Sequence, residues 1–197
     1  MKTLKTLVSI LFLTISSSVF AEDFDYVETN VWVKQKGSNI SLATRQNLGL
    51  DVQQYIVRYD FADTPYRLEY RNVQKGDRQE HWIRGQVKWL SHNGFFYNHR
   101  FEQRFREQKD DVLRYRPQFG YESQTAYAGI KPFFKVEPHW QYNYTTKDAG
   151  YSHMQTFTGF SYKVNDNLKV DPFVEVDFDK NFDKSLMFVG VDIKFEF

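Results

Sequence analysis

The stretch Val189–Phe197, VGVDIKFEF, alternates without a break. Val189, Val191, Ile193, Phe195 and Phe197 are apolar, and Gly190, Asp192, Lys194 and Glu196 stand between them. A period of two sends the first set to one face of a β-strand and the second to the other. Soluble domains tend to end in polar, frayed residues. Here the strand runs to a terminal Phe, which reads as a residue anchored on an apolar exterior.

The same pattern recurs upstream. In QQYIVRYDF, Tyr55, Val57, Tyr59 and Phe61 oppose Gln54, Arg58 and Asp60. In YRLEYR, Tyr66, Leu68 and Tyr70 oppose Arg67, Glu69 and Arg71, and in IRGQVKW, Ile83, Val87 and Trp89 oppose Arg84, Gln86 and Lys88. LRYRPQFGY, FKVEPHWQYNY and LKVDPFVEVDF repeat it, while NHRFEQRFRE is less regular, with His99 and Gln103 on the apolar face. No helical periodicity of useful length interrupts this series. A soluble sandwich also alternates. It rarely sets charged residues against aromatics over about 10 residues in strand after strand, as a membrane barrel does. The expected fold is therefore an all-β, transmembrane antiparallel β-barrel of one domain, residues 22–197.

Composition agrees. Aromatics make up 18% of the 197 residues, with 19 Phe and 13 Tyr, yet the chain is 26% charged. Mean hydropathy is −0.62. Residues 1–21, MKTLKTLVSILFLTISSSVFA, read as a cleaved signal peptide. Lys2 and Lys5 precede an apolar run, and Val19-Phe20-Ala21 makes an A-x-A-like cleavage site. Export and an alternating chain together predict the outer membrane. The formal net charge of +1 falls to about −1 without Lys2 and Lys5, which gives no bulk attraction to nucleic acid. There is no Cys, so disulfides cannot stabilise the fold.

Counting back from Phe197 places strands near 185–197, 167–180, 152–164, 129–145, 110–122, 94–107, 80–91, 65–74 and 51–61, with a first near 24–34. Bacterial barrels have an even strand number, and these make about ten. The segment SNISLATRQNLG, 38–49, is then an outer loop; if it pairs, another strand is hidden and the count becomes twelve. Short connections (FADTP, LSHNG, VNDN) alternate with longer polar ones (NVQKGDRQE, REQKDD, TTKDAGYS, DKNFDK), as periplasmic turns alternate with outer loops. Pro117, Pro132, Pro138 and Pro172 fall on strands and call for bulges.

The charged face would line the lumen. From 51 to 136 it carries Arg58, Arg67, Arg71, Arg84, Lys88, Arg100, Arg104, Arg106, Arg114, Arg116 and Lys135, against fewer acids, Asp60, Glu69, Glu102 and Glu122. The last strands invert the balance with Asp171, Glu175, Asp177, Asp192 and Glu196. A basic wall facing an acidic wall would set a transverse field across a narrow pore, and guanidinium groups favour carboxylates. The excess of Arg argues for an open, anion-selective lumen, because unpaired buried charge is costly without water. A lumen filled by Arg–Glu pairs is the competing expectation. Tyr66, Trp89, Tyr97, Tyr121 and Trp140 read as interfacial girdle residues, and Phe133, Phe173 and Phe188 as inward aromatics. The five His show no metal-ligand spacing, and no cofactor motif is present. Ser152–His153 is the one nucleophile–base candidate, opposed by the alternation of adjacent residues, so no enzyme is expected.

DNLKVDPFVEVDF with the terminal FVGVDIKFEF resembles the end of the oligogalacturonate-specific porin family, small channels of the KdgM/NanC type. LRYRPQFGYESQTAYAGIKPFFKVEP resembles its central region, and VRYDFADTPYRLEY its first periplasmic hairpin. Together these cover about half the mature chain. NHRFEQRFREQKDDVLRYRPQ also resembles an uncharacterised group of small outer-membrane barrels. The porin resemblance implies a monomer that passes small acidic sugars by inward Arg and Lys, here Arg58, Arg67, Arg71, Arg84, Arg100, Arg114 and Arg116. It implies twelve strands, one hairpin more than this shorter chain supplies. Its implied partners are outer-membrane lipid and the barrel assembly machinery, with Phe197 as part of the assembly signal.

Overall fold

A computed structural model describes residues 24–197; the expected signal peptide lies outside the described residues. Every regular element is a strand. In chain order they are β1 (Tyr26–Lys34), β2 (Ile40–Leu48), β3 (Val52–Asp60), β4 (Tyr66–Lys75), β5 (Arg78–His92), β6 (Phe95–Arg106), β7 (Val112–Tyr115), β8 (Gln118–Glu122), β9 (Ile130–Asn143), β10 (Ala149–Asn165), β11 (Leu168–Phe178) and β12 (Lys184–Glu196). β7 and β8 both pair with β6 on one side and β9 on the other. They are two halves of one ribbon, broken at Arg116-Pro117 where the proline has no amide hydrogen to donate.

The meander closes on itself, and its twelve strands make a wall of eleven ribbons, within the expected range of about ten to twelve. The difference from ten lies in 38–49. Ile40–Leu48 is a strand, pairing β1 and β3 along its whole length, and no further strand compensates for it. An odd meander must close with its ends running the same way. β1 and β12 accordingly pair in parallel, from Tyr26↔Phe188 to Lys34↔Glu196, while every other neighbour is antiparallel. The terminal residue is stapled across this seam: the Phe197 amide donates to the Lys34 carbonyl (3.1 Å), and its carbonyl accepts from Lys36 (2.6 Å).

Connections are short at both ends. Of the expected long polar loops, NVQKGDRQE is mostly strand, with β4 and β5 meeting through residues 76–77, and half of TTKDAGYS belongs to the 17-residue β10, whereas REQKDD and DKNFDK stay turns over 107–111 and 179–183. The tightest turn follows a strong sequence signal. Asn93 and Gly94 both take positive φ (49° and 87°), which the two-residue hairpin turn of this twist demands. Bulges fall between Lys88 and Leu90, Tyr151 and His153, Lys163 and Asn165, and Asp177 and Phe178. Pro132 and Pro172 sit in unbroken register, whereas Pro138 lies beside the Tyr151/His153 bulge and Pro117 at the break between β7 and β8.

The molecule is inside-out. Its outer face exposes Val57, Leu68, Ile83, Trp89, Phe101, Phe119, Phe134 and Phe195, each between 42% and 72% accessible. Its inner face buries Glu69, Arg71, Arg84, Glu102, Glu137 and Asp171. Among the described residues no helix is long and apolar enough to cross a membrane, which says nothing of a chain that crosses with strands.

Glycines make room for inward aromatic rings. The row Gly159–Phe173–Gly190 crosses β10, β11 and β12 in register. A Cβ on Gly190 would stand 2.3 Å from Phe173 Cζ, and one on Gly159 2.3 Å from the Pro172 carbonyl oxygen. Gly190→Ala is expected to destabilise the barrel by about 1–3 kcal/mol, the usual cost of overpacking. Urea titration of the refolded barrel in lipid measures it; an unchanged midpoint would mean that the Phe173 ring swings aside freely.

Candidate functional site: the barrel lumen

The register builds one charge row across five ribbons. Arg58 on β3 faces Glu69 on β4, then Arg84 on β5, Glu102 on β6 and Arg114 on β7. Signs alternate along the row, the favourable arrangement for directly opposed side chains. Residues two positions along each strand join it diagonally. Glu69 accepts from Arg71 Nε (2.6 Å), Arg58 Nη2 (2.8 Å) and Arg84 Nη1 (3.1 Å). Glu102, fully buried, accepts from Arg84, from Arg104 Nε (2.5 Å) and from Arg116 Nη1 (3.2 Å). Glu137 takes Arg116 Nη2 (2.6 Å) and Arg100 Nη1 (2.8 Å).

Six of the Arg residues assigned to the lumen thus converge on three glutamates. The positive excess of the central strands is not left free in the middle of the barrel, as the open-pore expectation required. Buried charges of this kind persist because each of these carboxylates and guanidiniums finds an ionic partner. Amides fill remaining positions: Arg71 Nη1 donates to Gln54 Oε1 (2.9 Å) and Arg100 Nε to Gln86 Oε1 (3.0 Å). Indole faces take the flat guanidinium surfaces, with Arg104 3.5 Å from the Trp82 ring centroid and Arg58 3.7 Å from that of Trp32.

The other assigned cations lie at the margins. Arg67 pairs with Asp60 at 2.7 Å, and Arg114 donates to the Gln141 amide oxygen at 2.9 Å. Lys135 stands over Phe133 and Phe157, 4.8 and 4.9 Å from their centroids. Lys88 lies on the inner face of β5, register partner of Asn98. On the acidic wall, Asp171 binds Lys194 Nζ at 2.5 Å and Ser161 Oγ at 2.7 Å, and Asp192 accepts from Asn30 at 2.7 Å. Glu175 and Asp177 have no ion pair among the described residues; Asp177 accepts from Gln155 at 3.1 Å. At the barrel's turns, the Asn143 amide holds the Asp110 carboxyl below its ordinary range, and Lys163 does the same for Asp166.

Two cavities enter the barrel. One of about 700 Å³ opens at the Phe197 end among Lys34, Lys131, Lys163, Lys169 and Lys194. The other, about 710 Å³, opens at the opposite end beside Leu50 and Gly76 and reaches Arg45, Arg84, Arg114, His139 and Glu175. Trp32 and Arg58 line both. Their stacked pair is the septum between the two halves of the lumen.

Trp32, Glu28 and Arg45 were not among the expected site residues. They sit on β1 and β2, where Thr29, Thr44 and Gln46 on the outer face blur the alternation. Glu137 lay in plain view as an inward acid, but nothing in one strand reveals that two arginines from other strands meet it. Ser152 and His153, which should face apart, do meet: Ser152 Oγ lies 3.0 Å from His153 Nδ1 because the bulge between Tyr151 and His153 breaks the alternation. The same hydroxyl reaches the His139 carbonyl oxygen at 3.2 Å.

The fold and lumen define a class: a closed, inside-out β-barrel of porin-like form with a charge-packed interior. No protein-family model matches the chain, and no curated protein matches its sequence. The resemblance to the oligogalacturonate-specific porins therefore rests on its quoted motifs.

Proposed function

We propose that the protein is a monomeric outer-membrane barrel that lets small anionic solutes, acidic oligosaccharides or sugar acids, pass by diffusion. The observation that carries this reading is the pair of cavities entering from opposite ends and meeting at Trp32–Arg58. The apolar outer face suits lipid, and the signal-like residues 1–21 and the terminal aromatic strand suit export and assembly into that membrane. Lysines at one mouth, with Arg114 and Lys135 deeper in the lumen, offer a series of weak anion sites, which conduction needs more than one tight site. No catalytic role is assigned: Ser152 lies against a backbone carbonyl, and no carboxylate ion-pairs with His153 among the described residues.

A second reading is a non-conducting structural or surface-interaction barrel. It is favoured by the Arg–Glu network that fills the middle of the lumen. Its natural seat, long outer loops, is missing, since the longest connection among the described residues, 123–129, lies at the Phe197 end.

Planar-bilayer recording of the refolded mature chain separates the two. The native barrel is expected to give small, discrete, anion-selective current steps, reduced by an acidic oligosaccharide. Trp32→Ala removes the septum's indole and raises the step severalfold, while Arg58→Gln weakens anion selectivity. A folded barrel silent in native and Trp32→Ala form alike would overturn the porin reading.

A further inference from the structure

The cavity at the Tyr26 end has two walls of opposite sign, and both carry groups without an ionic partner. On the cationic side, Arg114 is satisfied only by the neutral Gln141 amide. Beside it, His139 is 1% exposed; among the described residues neither ring nitrogen has a hydrogen-bond partner, Nε2 standing 3.7 Å from Glu137 Oε1, and Arg116 Nε is likewise without one. All three residues line this cavity. A buried polar group without a partner is uncommon in a folded protein and points to a missing acceptor or donor.

On the opposite wall, Glu175 is 3% exposed, and neither it nor Asp177 has an ion pair among the described residues. Asp177 accepts from Gln155 Nε2 through both carboxylate oxygens (3.1 and 3.3 Å). Glu28, paired with Arg45 at 3.4 Å, lies on the same wall, and Tyr26 stacks on Phe188 at 4.1 Å beside it. Carboxylates next to aromatic rings form an ammonium-binding surface. Among the described residues no group of three His, Asp or Glu could hold a metal ion, which favours an organic cation as the occupant.

A single neutral side chain joins the walls. Arg116 Nη2 donates to Gln155 Oε1 (3.1 Å), and Gln155 Nε2 donates to Asp177 Oδ1 (3.1 Å). Arg116 and Asp177, of opposite charge, thus stand one amide apart.

We infer that this cavity binds a small zwitterion of the amino-acid or dipeptide class, its carboxylate at Arg114 and His139 and its ammonium at Glu175 and Asp177. The inference goes beyond the lumen reading by naming a net-neutral solute class that a purely cationic track would not prefer. It rests on that reading only in taking the cavity as open to solutes.

The test uses the refolded mature chain in detergent micelles, with dissociation constants from ligand-observed saturation-transfer NMR. Three probes are compared: alanyl-alanine, its N-acetyl derivative without the ammonium, and its C-terminal amide without the carboxylate. The free dipeptide is expected to bind at least tenfold tighter than either derivative. The double variant Glu175→Gln/Asp177→Asn is expected to bring its affinity down to that of the acetylated form and leave the latter unchanged. Equal binding of the acetylated form would show a plain anion site, equal binding of the amide a plain cation site, and no saturable binding an unused cavity; each overturns the inference. If the double variant does not fold, the three-probe comparison on the native barrel decides alone. Binding without ionic current would sink only the porin reading, and current without dipeptide preference only this inference.

Discussion

Glu102→Ala is expected to destabilise the barrel by about 3–5 kcal/mol, the cost of breaking a buried ion pair by removing one partner. Glu102 is fully buried and holds Arg84, Arg104 and Arg116, which come from three different ribbons. Without it Arg104 loses its one carboxylate, and Arg84 and Arg116 keep only Glu69 and Glu137. Three guanidinium groups then repel each other in a space that water enters poorly. Replacement by Gln keeps the shape and loses the charge, so it should recover only a minor part of the loss. Urea unfolding of the refolded variants, followed by the gel-mobility difference between folded and unfolded barrel, gives the number. A loss under about 1 kcal/mol, the range of exposed pairs, would mean that water already screens this network and that the lumen is far wetter than its packing indicates.

Val57→Arg should cost about 2–4 kcal/mol when the barrel is folded into a lipid bilayer, the penalty for a basic residue near the midplane of a barrel's lipid face. Val57 stands near the middle of β3, is 46% exposed, and lies between Leu42 and Tyr70 in register. The measurement discriminates sharply. On a water-exposed surface the same substitution stays within roughly 0.5 kcal/mol. A near-neutral result in bilayers would therefore refute a lipid-facing exterior, and with it the outer-membrane reading.

Much of the wall was legible because alternation is a local property. The strands near 51–61, 65–74 and 129–145 appear as β3, β4 and β9 with ends displaced by two residues or fewer. Each had a strong apolar set on one face. β2 failed for the same reason in reverse: Thr44 and Gln46 dilute its outer face, so Ile40, Leu42 and Leu48 looked like scattered apolar residues in a loop. Parity then left the count at about ten, with twelve as the alternative, on either side of the eleven ribbons. Two of the expected long loops failed differently, since polar strand extensions and polar loops have the same composition and differ only in whether a neighbour pairs with them. The bulge at Tyr151/His153 shows the limit of the period itself. One extra residue turned two side chains expected on opposite faces into a contacting pair.

Which residues face in and which face out, that the chain is all-β, and that basic and acidic residues share one face follow from the amino-acid order alone. Each depends only on the two-residue period of an extended chain. The eleven-ribbon wall, its parallel seam between β1 and β12, and the fate of the charges belong to the tertiary structure. Arg58, Glu69, Arg84, Glu102 and Arg114 come from five ribbons, and no local signal aligns them. Only the interstrand register brings them into one row, where Coulomb attraction over a few ångströms decides that the arginines bind glutamates and which few groups remain for a solute.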